Sequence, residues 1–174
     1  AMSITHVYNG HEREIDLGFG KGWRTGYTQH VTPDVIGGIN YYRHIDGDGT
    51  MHHYYQSSDS SVYINELDQH TRLTVSGGLV TIEDAMGNQL KFDEYRRLHQ
   101  IVDSHGNTQT ITYVETGANK WKIDYVTDAD GNKTDFEYNS SDHLISMDCH
   151  NGQDLSFIYD GNGYITGITY ADEN

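Results

Sequence analysis

The stretch DADGNKTDFEY, from Asp128 to Tyr138, has the pattern of a tight turn that leads into a strand. The Asp128 side chain can accept a hydrogen bond from a backbone N–H two residues later, which closes a turn. Gly131 can take the left-handed backbone conformation that ends a type I turn with a bulge. Beyond the turn, polar and aromatic residues alternate, so that Phe136 and Tyr138 share one face of a strand while Asp135 lies on the other. The stretch therefore predicts a β-hairpin.

Similar stretches recur along the chain, as in repeat proteins. Four of them align on glycines that are 19, 25 and 21 residues apart, namely Gly87, Gly106, Gly131 and Gly152. Three copies begin with Asp and place Asn directly after the glycine; these residues are Asp84, Asn88, Asp103, Asn107, Asp128 and Asn132. In the fourth copy Cys149 and Gln153 occupy those positions. Looser copies start at Asp46 and Asp160. Because local hydrogen bonding explains these residues, we predict a structural turn role for them.

An aromatic residue follows each aligned turn, and one hairpin cannot bury such a residue alone. The four are Phe92, Tyr113, Tyr138 and Tyr159. Neighbouring hairpins must therefore stack side by side. Only 35% of the 174 residues are hydrophobic, which favours sheets with one dry face over a thick core. We expect an all-β fold: a curved antiparallel sheet of stacked β-hairpin repeats, forming part of a shell-like or solenoid-like strip.

The chain divides into two predicted segments within one continuous structural domain. Residues 1–78 form a lead-in with irregular strands, and residues 79–174 form about four hairpin repeats. The lead-in contains a Gly-rich run, GFGKGW, in which Gly20 and Gly22 permit a bend before Trp23.

The charge balance excludes several classes of partner. With 11 Lys+Arg against 26 Asp+Glu, the net charge is −15, so the surface repels nucleic acid and anionic membranes. No apolar run approaches the roughly 20 residues that span a bilayer, so we expect no membrane insertion. Cys149 is the only cysteine, which rules out an intrachain disulfide.

Several clusters resemble chemical sites, but each lacks a required element. His52 and His53 are adjacent, so on a strand they point to opposite faces and cannot readily share a metal ion. The runs that start at Asp46 and Asp128 resemble calcium loops, yet neither has the Glu needed at the twelfth position. We therefore predict no enzyme activity, no catalytic or metal-binding residues and no cofactor.

Two parts of the chain resemble the RHS/YD-repeat family. YDGNGYITGITY, from Tyr159 to Tyr170, has the Tyr-Asp and Gly of the family's repeat, although Tyr164 stands where Arg is usual. DLGFGKGWRTGYTQHV, from Asp16 to Val31, is similar to the segment that opens the repeat region in wall-associated members from Gram-positive bacteria.

The resemblance implies an exported bacterial protein at the cell surface or cell wall. In that family many repeats form a hollow β-shell around a variable C-terminal polypeptide, often a toxin. The partners implied are the neighbouring repeats and the enclosed C-terminal cargo of the same polypeptide. The family's D-P-x-G signature is absent here, so no catalytic aspartate is carried over. Unpaired strand edges also predict edge-to-edge self-association of the isolated chain.

The alternative hypothesis is a cell-surface carbohydrate-binding or adhesion module. Fourteen Tyr and two Trp on an acidic β-scaffold could stack against sugar rings. We favour the simpler interpretation, in which Trp23, Trp121 and the alternating tyrosines fill a thin core, because the aromatic residues recur at one repeat position.

Overall fold

The computed structural model describes residues 5–172, with only the backbone of residue 172. Within this range the protein has sixteen β-strands, one 3-10 turn at Gly10–Glu12 and no α-helix. The predicted all-β fold of consecutive antiparallel hairpins is confirmed. The division into segments 1–78 and 79–174 stays a prediction, and residues 1–4 and 173–174 of those segments lie outside the described residues. No helix within 5–172 is long and apolar enough to cross a membrane.

The strands are short, and most have four to seven residues. They are β1 (His6–Tyr8), β2 (Trp23–Thr25), β3 (His30–Ile36), β4 (Ile39–Ile45), β5 (Met51–Gln56), β6 (Val62–Asn65), β7 (Arg72–Ser76), β8 (Leu79–Glu83), β9 (Gln89–Phe92), β10 (Leu98–Val102), β11 (Thr108–Tyr113), β12 (Ile123–Thr127), β13 (Lys133–Tyr138), β14 (Leu144–Cys149), β15 (Gln153–Tyr159) and β16 (Ile165–Asp172).

The chain forms two compact units. One consists of Gly26–Gln109 and the other of Ala1–Thr25 together with Thr110–Asn174. In the Gly26–Gln109 unit, strands β3 to β10 follow chain order, and each is antiparallel to the next. In the other unit, β11 to β16 follow the same rule, while β1 and β2 pair as a separate two-stranded sheet.

The core of the Gly26–Gln109 unit comes from alternate residues of its strands. Cross-strand pairing places Leu73 opposite Tyr63 on one side and Ile82 on the other. Leu73 is completely buried, and Val80 and Phe92 are nearly so. Because successive side chains of a strand point to opposite faces, the polar residues between them lie on the other face.

The start of β3, the first strand of this unit, is hydrogen-bonded to the turn between β9 and β10. The backbone N–H of Val31 donates to the Arg96 carbonyl at 3.1 Å, and the N–H of Leu98 donates to the Gln29 carbonyl at 3.2 Å. These bonds satisfy backbone groups that an edge strand would otherwise leave open at the start of β3.

In the second unit, the apolar face of the predicted hairpins is the buried one. Phe136 pairs with Met147 across β13 and β14, and both side chains are buried. Thr134 on the same face is also buried, whereas Glu137 on the opposite face is exposed. The alternation predicted for DADGNKTDFEY therefore places its apolar side in the core and its acidic side outward.

The Gly131 turn provides a test of the backbone requirement. Gly131 has φ +85°, and an added Cβ would meet nothing within 4 Å, so substitution affects only the backbone. We expect Gly131→Ala to lower the free energy of unfolding by about 1–2 kcal/mol in urea titrations followed by circular dichroism. Gly161 has equally open surroundings without a left-handed φ. Gly161→Ala should change the value by less than about 0.5 kcal/mol, and equal effects of both would contradict the assignment.

Candidate functional site

One type of five-residue turn connects strands at seven places within residues 5–172. In each turn, a side-chain oxygen of the first residue accepts the backbone N–H groups of the third and fifth residues, at 2.8–3.1 Å. The N–H of the fourth residue donates to the carbonyl of the first. The first residues are Asp46, Asp84, Asp93, Asp103, Asp128, Asn139 and Asp160. The repeat is therefore a precise hydrogen-bonding unit.

In several turns the fifth residue also binds the second oxygen of the aspartate. The side-chain amides of Asn88, Asn107 and Asn132 donate to Oδ2 of their aspartates at 2.8, 2.7 and 3.0 Å. These amide donors, together with backbone N–H groups, hold the pKa values of the carboxyl groups below their usual range; the groups are Asp84, Asp103 and Asp128. The carboxylates consequently stay ionised and able to accept hydrogen bonds in mildly acidic solution.

The fourth residue of the turn has a left-handed backbone and is usually glycine. The glycines are Gly49, Gly87, Gly106, Gly131 and Gly163. In the other two turns the position is held by Arg96 and Asp142, each with φ +69°. An alignment of the repeats on glycine does not detect the turns that begin at Asp93 and Asn139. An Asp or Asn at the first position between two strand patterns was the signal that could have found them.

Gly152 lies at a strand reversal of a different kind. Its φ is +73°, and its N–H donates to the Cys149 carbonyl at 2.9 Å. The carboxylate here comes from the other side of the turn, because Asp154 accepts the Cys149 N–H at 2.8 Å. With Cys at the first position, the turn therefore obtains its side-chain acceptor from the following strand.

The four repeat aromatics occupy one structural position, the last residue of β9, β11, β13 and β15. Each pairs with an apolar residue on the next strand, where the register shifts by a β-bulge. The pairs are Phe92 with Leu98, Tyr113 with Ile123, Tyr138 with Leu144, and Tyr159 with Ile165. Leu98 and Leu144 are completely buried. Turn, strand, aromatic residue and bulge thus form the repeating unit.

Residues 16–21 of the lead-in segment bind the turns at one end of β14 to β16. The Leu144 N–H donates to the Gly18 carbonyl at 2.6 Å, and the Lys21 N–H donates to the Gly163 carbonyl at 3.0 Å. Asp16 Oδ2 lies 2.7 Å from His143 Nε2, which adds a side-chain contact to the same turns. The segment therefore links two consecutive hairpins of its unit through backbone hydrogen bonds.

The predicted lead-in residues have distinct roles in this arrangement. Gly20 has φ +91°, and a Cβ there would lie 2.7 Å from Cγ1 of Ile165. Gly22 has φ +77°, and a Cβ there would lie 2.6 Å from the Tyr8 ring. Trp23 is in β2, and its ring centroid lies 4.8 Å from that of His6. Trp121, by contrast, is 46% exposed, so the expectation that it fills the core was wrong. It has a left-handed backbone (φ +78°) in the loop before β12, outside the strand alternation that would bury it.

The adjacent histidines considered as metal ligands, His52 and His53, point to opposite faces of β5. His44 and His52 are cross-strand partners with ring centroids 5.6 Å apart, and His53 packs against Tyr41 on the other face. Buried His44 places Nε2 2.8 Å from Oε1 of Gln29. His52 Nε2 lies 2.8 Å from Oδ2 of Asp46, the first residue of a repeat turn. Among residues 5–172, no group of three or more His, Cys, Asp or Glu side chains is arranged to hold a metal ion.

A groove opens at the end of the β3–β4 hairpin, with a volume of about 550 Å³. The rings of Tyr42 and Tyr63 meet edge to face in it, with centroids 4.9 Å apart. Its polar rim includes Asn40 and Asp34. Asn40 donates to Gln56, and Asp34 forms an ion pair with Arg43.

No protein-family model and no curated protein matches the chain.

The His44 environment predicts acid sensitivity in the Gly26–Gln109 unit. Burial, followed by the charges of His52 and His30, lowers the pKa of His44 to about 3. The unfolded value is about 6.5, so the unfolded chain takes up the proton first as the pH falls. The stabilisation present above pH 6.5 should therefore be lost progressively as the pH falls from about 6.5 towards 3.

We expect the melting temperature of the wild-type protein to fall between pH 7 and pH 4.5, with a shallower slope in His44→Gln, which cannot ionise. His70 is exposed, so His70→Gln should keep the wild-type slope. The slope, measured by differential scanning calorimetry, is the readout, since His44→Gln also alters packing. Identical slopes in all three proteins would contradict the role of His44.

Gly20 tests the lead-in contact. Gly20→Ala should destabilise the docked segment by about 1–3 kcal/mol, because Ile165 and the Tyr159 ring must move. Limited proteolysis should then cut the lead-in faster, and Trp23 fluorescence should shift to longer wavelength. Gly117 has a similar φ of +84° but no atom within 4 Å of an added Cβ. Gly117→Ala should leave the lead-in as resistant as the wild type; equal cleavage of both variants would refute the clash.

Proposed function

We propose that the chain is a structural wall segment of an RHS/YD-repeat shell, which encloses a C-terminal toxin or effector of an exported bacterial protein. The observation that carries the proposal is the recurrence of one turn, strand, aromatic and bulge unit along consecutive strands. A sheet that is extended by similar hairpins gains backbone hydrogen bonds with each added hairpin, and a barrier of this kind requires no catalytic group. Such a polypeptide acts by steric exclusion.

The turn chemistry suits a barrier outside the cell. Each turn carboxylate satisfies backbone N–H groups within its own five residues, so the turn does not depend on a neighbouring strand for these bonds. The lowered pKa values of these aspartates preserve the bonds when the surroundings become mildly acidic.

The lead-in segment supports a place near the start of such a wall. Its docking onto β14 to β16 uses three backbone or side-chain contacts with successive turns. A segment of this kind restrains the hairpins of its own unit, which a wall requires if it is to resist local opening. The resemblance of residues 16–31 to the opening of RHS repeat regions is consistent with the same place.

Protease protection in the parent polypeptide tests the proposal. Its reading frame should encode further repeats and a divergent C-terminal segment, which should resist protease in the wild type. Combined Gly87→Val, Gly106→Val and Gly131→Val substitutions should expose that segment, because all three positions have left-handed backbones. Gly161→Val is the matched control and should preserve protection. A parent without a downstream segment, or a segment digested equally in all forms, would refute the proposed function.

A further inference from the structure

The outer edge of β3 can be followed residue by residue from its pairing with β4. Within residues 5–172, β4 is the only strand that pairs along β3. Gly37 and Gly38 form the two-residue turn of this hairpin, and Ile36 pairs with Ile39 across it. In an antiparallel pair, alternate residues exchange both of their hydrogen bonds, and the residues between them direct N–H and C=O outward. The outward-facing residues of β3 are therefore Val31, Pro33 and Val35.

None of these three residues offers a free N–H group at the edge. The N–H of Val31 donates to the Arg96 carbonyl at 3.1 Å. Pro33 has no N–H, because its nitrogen is part of the pyrrolidine ring. The N–H of Val35 donates to Oδ1 of Asp34 at 2.8 Å. A strand that approached this edge would therefore find no backbone donor along β3.

The Asp34 carboxylate is oriented by a second contact. Its Oδ2 lies 3.1 Å from Nε of Arg43, a residue of β4 two positions from Tyr41, the direct cross-strand partner of Asp34. The two side chains are 37% and 33% exposed, so the ion pair orients the carboxylate more than it stabilises the fold. One carboxylate oxygen thus contacts a cation while the other accepts the edge N–H.

An open edge at this place would favour association, because the hairpin is apolar and extends past its neighbour. The pairing of β4 with β5 ends at Tyr41, so the end of the hairpin has no further strand beside it. Val35, Ile36 and Ile39 at this end are 63%, 44% and 52% exposed. Exposed β-branched segments with open backbone groups readily pair with another chain.

We propose that Pro33 and Asp34 close the edge of β3 against strand addition by a second copy of this chain. Pro33 removes the central donor of the edge, and the Asp34 carboxylate occupies the donor nearest the turn. The proposal does not depend on the wall function, because it concerns hydrogen bonds within one hairpin. Edge-to-edge self-association, which the sequence predicts, must then use a different edge.

Hydrogen exchange at the Val35 amide, measured by nuclear magnetic resonance on the complete chain, tests the Asp34 contact. Asp34→Ala removes the acceptor and should speed exchange about fivefold after correction for the intrinsic rate. Asp34→Asn keeps an oxygen acceptor and should stay within about twofold of the wild type. Equal exchange in Asp34→Ala and the wild type would overturn the proposed role of Asp34.

A concentration series tests the edge itself. Pro33→Ala combined with Asp34→Ala restores the missing donors without adding a large apolar side chain. With rising concentration, the β3 amide signals of this variant should shift and its sedimentation coefficient should increase. Its dissociation constant should lie at least about tenfold below any value measured for the wild type at this edge. Exposed Glu115 provides the charge-matched control, and Glu115→Ala should behave as the wild type.

The β3 signals separate this edge from association elsewhere in the chain. In the wild type they should stay constant across the concentration series, whatever the sedimentation coefficient does. The proposal is overturned if the wild-type β3 signals shift with concentration, or if the folded double variant shows no shift. The wild-type series and the Asp34→Ala exchange rate decide the question if the double variant does not fold.

Discussion

The structure depends on one interaction that recurs at seven turns within residues 5–172, the acceptance of two backbone N–H groups by a single side-chain oxygen of the first turn residue. In a chain that reverses direction this often, many N–H groups lie in turns, where no neighbouring strand offers them a carbonyl. The aspartate or asparagine oxygen satisfies them within five residues, as at Asp128, where Oδ1 accepts from Asp130 and Asn132. Since the bonds lie within five residues, the turn geometry does not depend on contacts with distant parts of the chain.

A bulge accompanies each repeat aromatic residue. The register shift pairs the aromatic residue with an apolar residue on the next strand. Tyr138 and Leu144 form such a pair, as do Tyr113 and Ile123. A bulge increases local twist, so a regular series of bulges bends a sheet in steps. A small number of apolar residues is therefore enough to form the core, because each repeat aromatic residue pairs with an apolar residue on the next strand.

The turn carboxylates and the buried histidines respond differently to acid. The turn carboxylates keep their hydrogen bonds as the pH falls because their pKa values are lowered. His44 behaves in the opposite way, since its protonation places a charge in a buried face beside His52. His6 in the lead-in segment resembles His44, because burial lowers its pKa to about 4. Acid stability therefore differs between the turns and the packed aromatic surfaces.

The sequence alone determined the local part of this protein: an all-β chain, turns at Asp84, Asp103 and Asp128, and an alternating strand with its apolar side shared by Phe136 and Tyr138. These features arise from hydrogen bonds and periodicities that span a few residues, so a short window contains their cause. The turns at Asp93 and Asn139 were missed because their left-handed residues, Arg96 and Asp142, give no glycine signal. Tertiary structure decided the rest: the contact of the lead-in segment with His143, the hydrogen bond from β3 to the Arg96 carbonyl, and the groove beside Tyr42. Those contacts join residues far apart in the chain, and they depend on accumulated twist and register, which no single segment specifies.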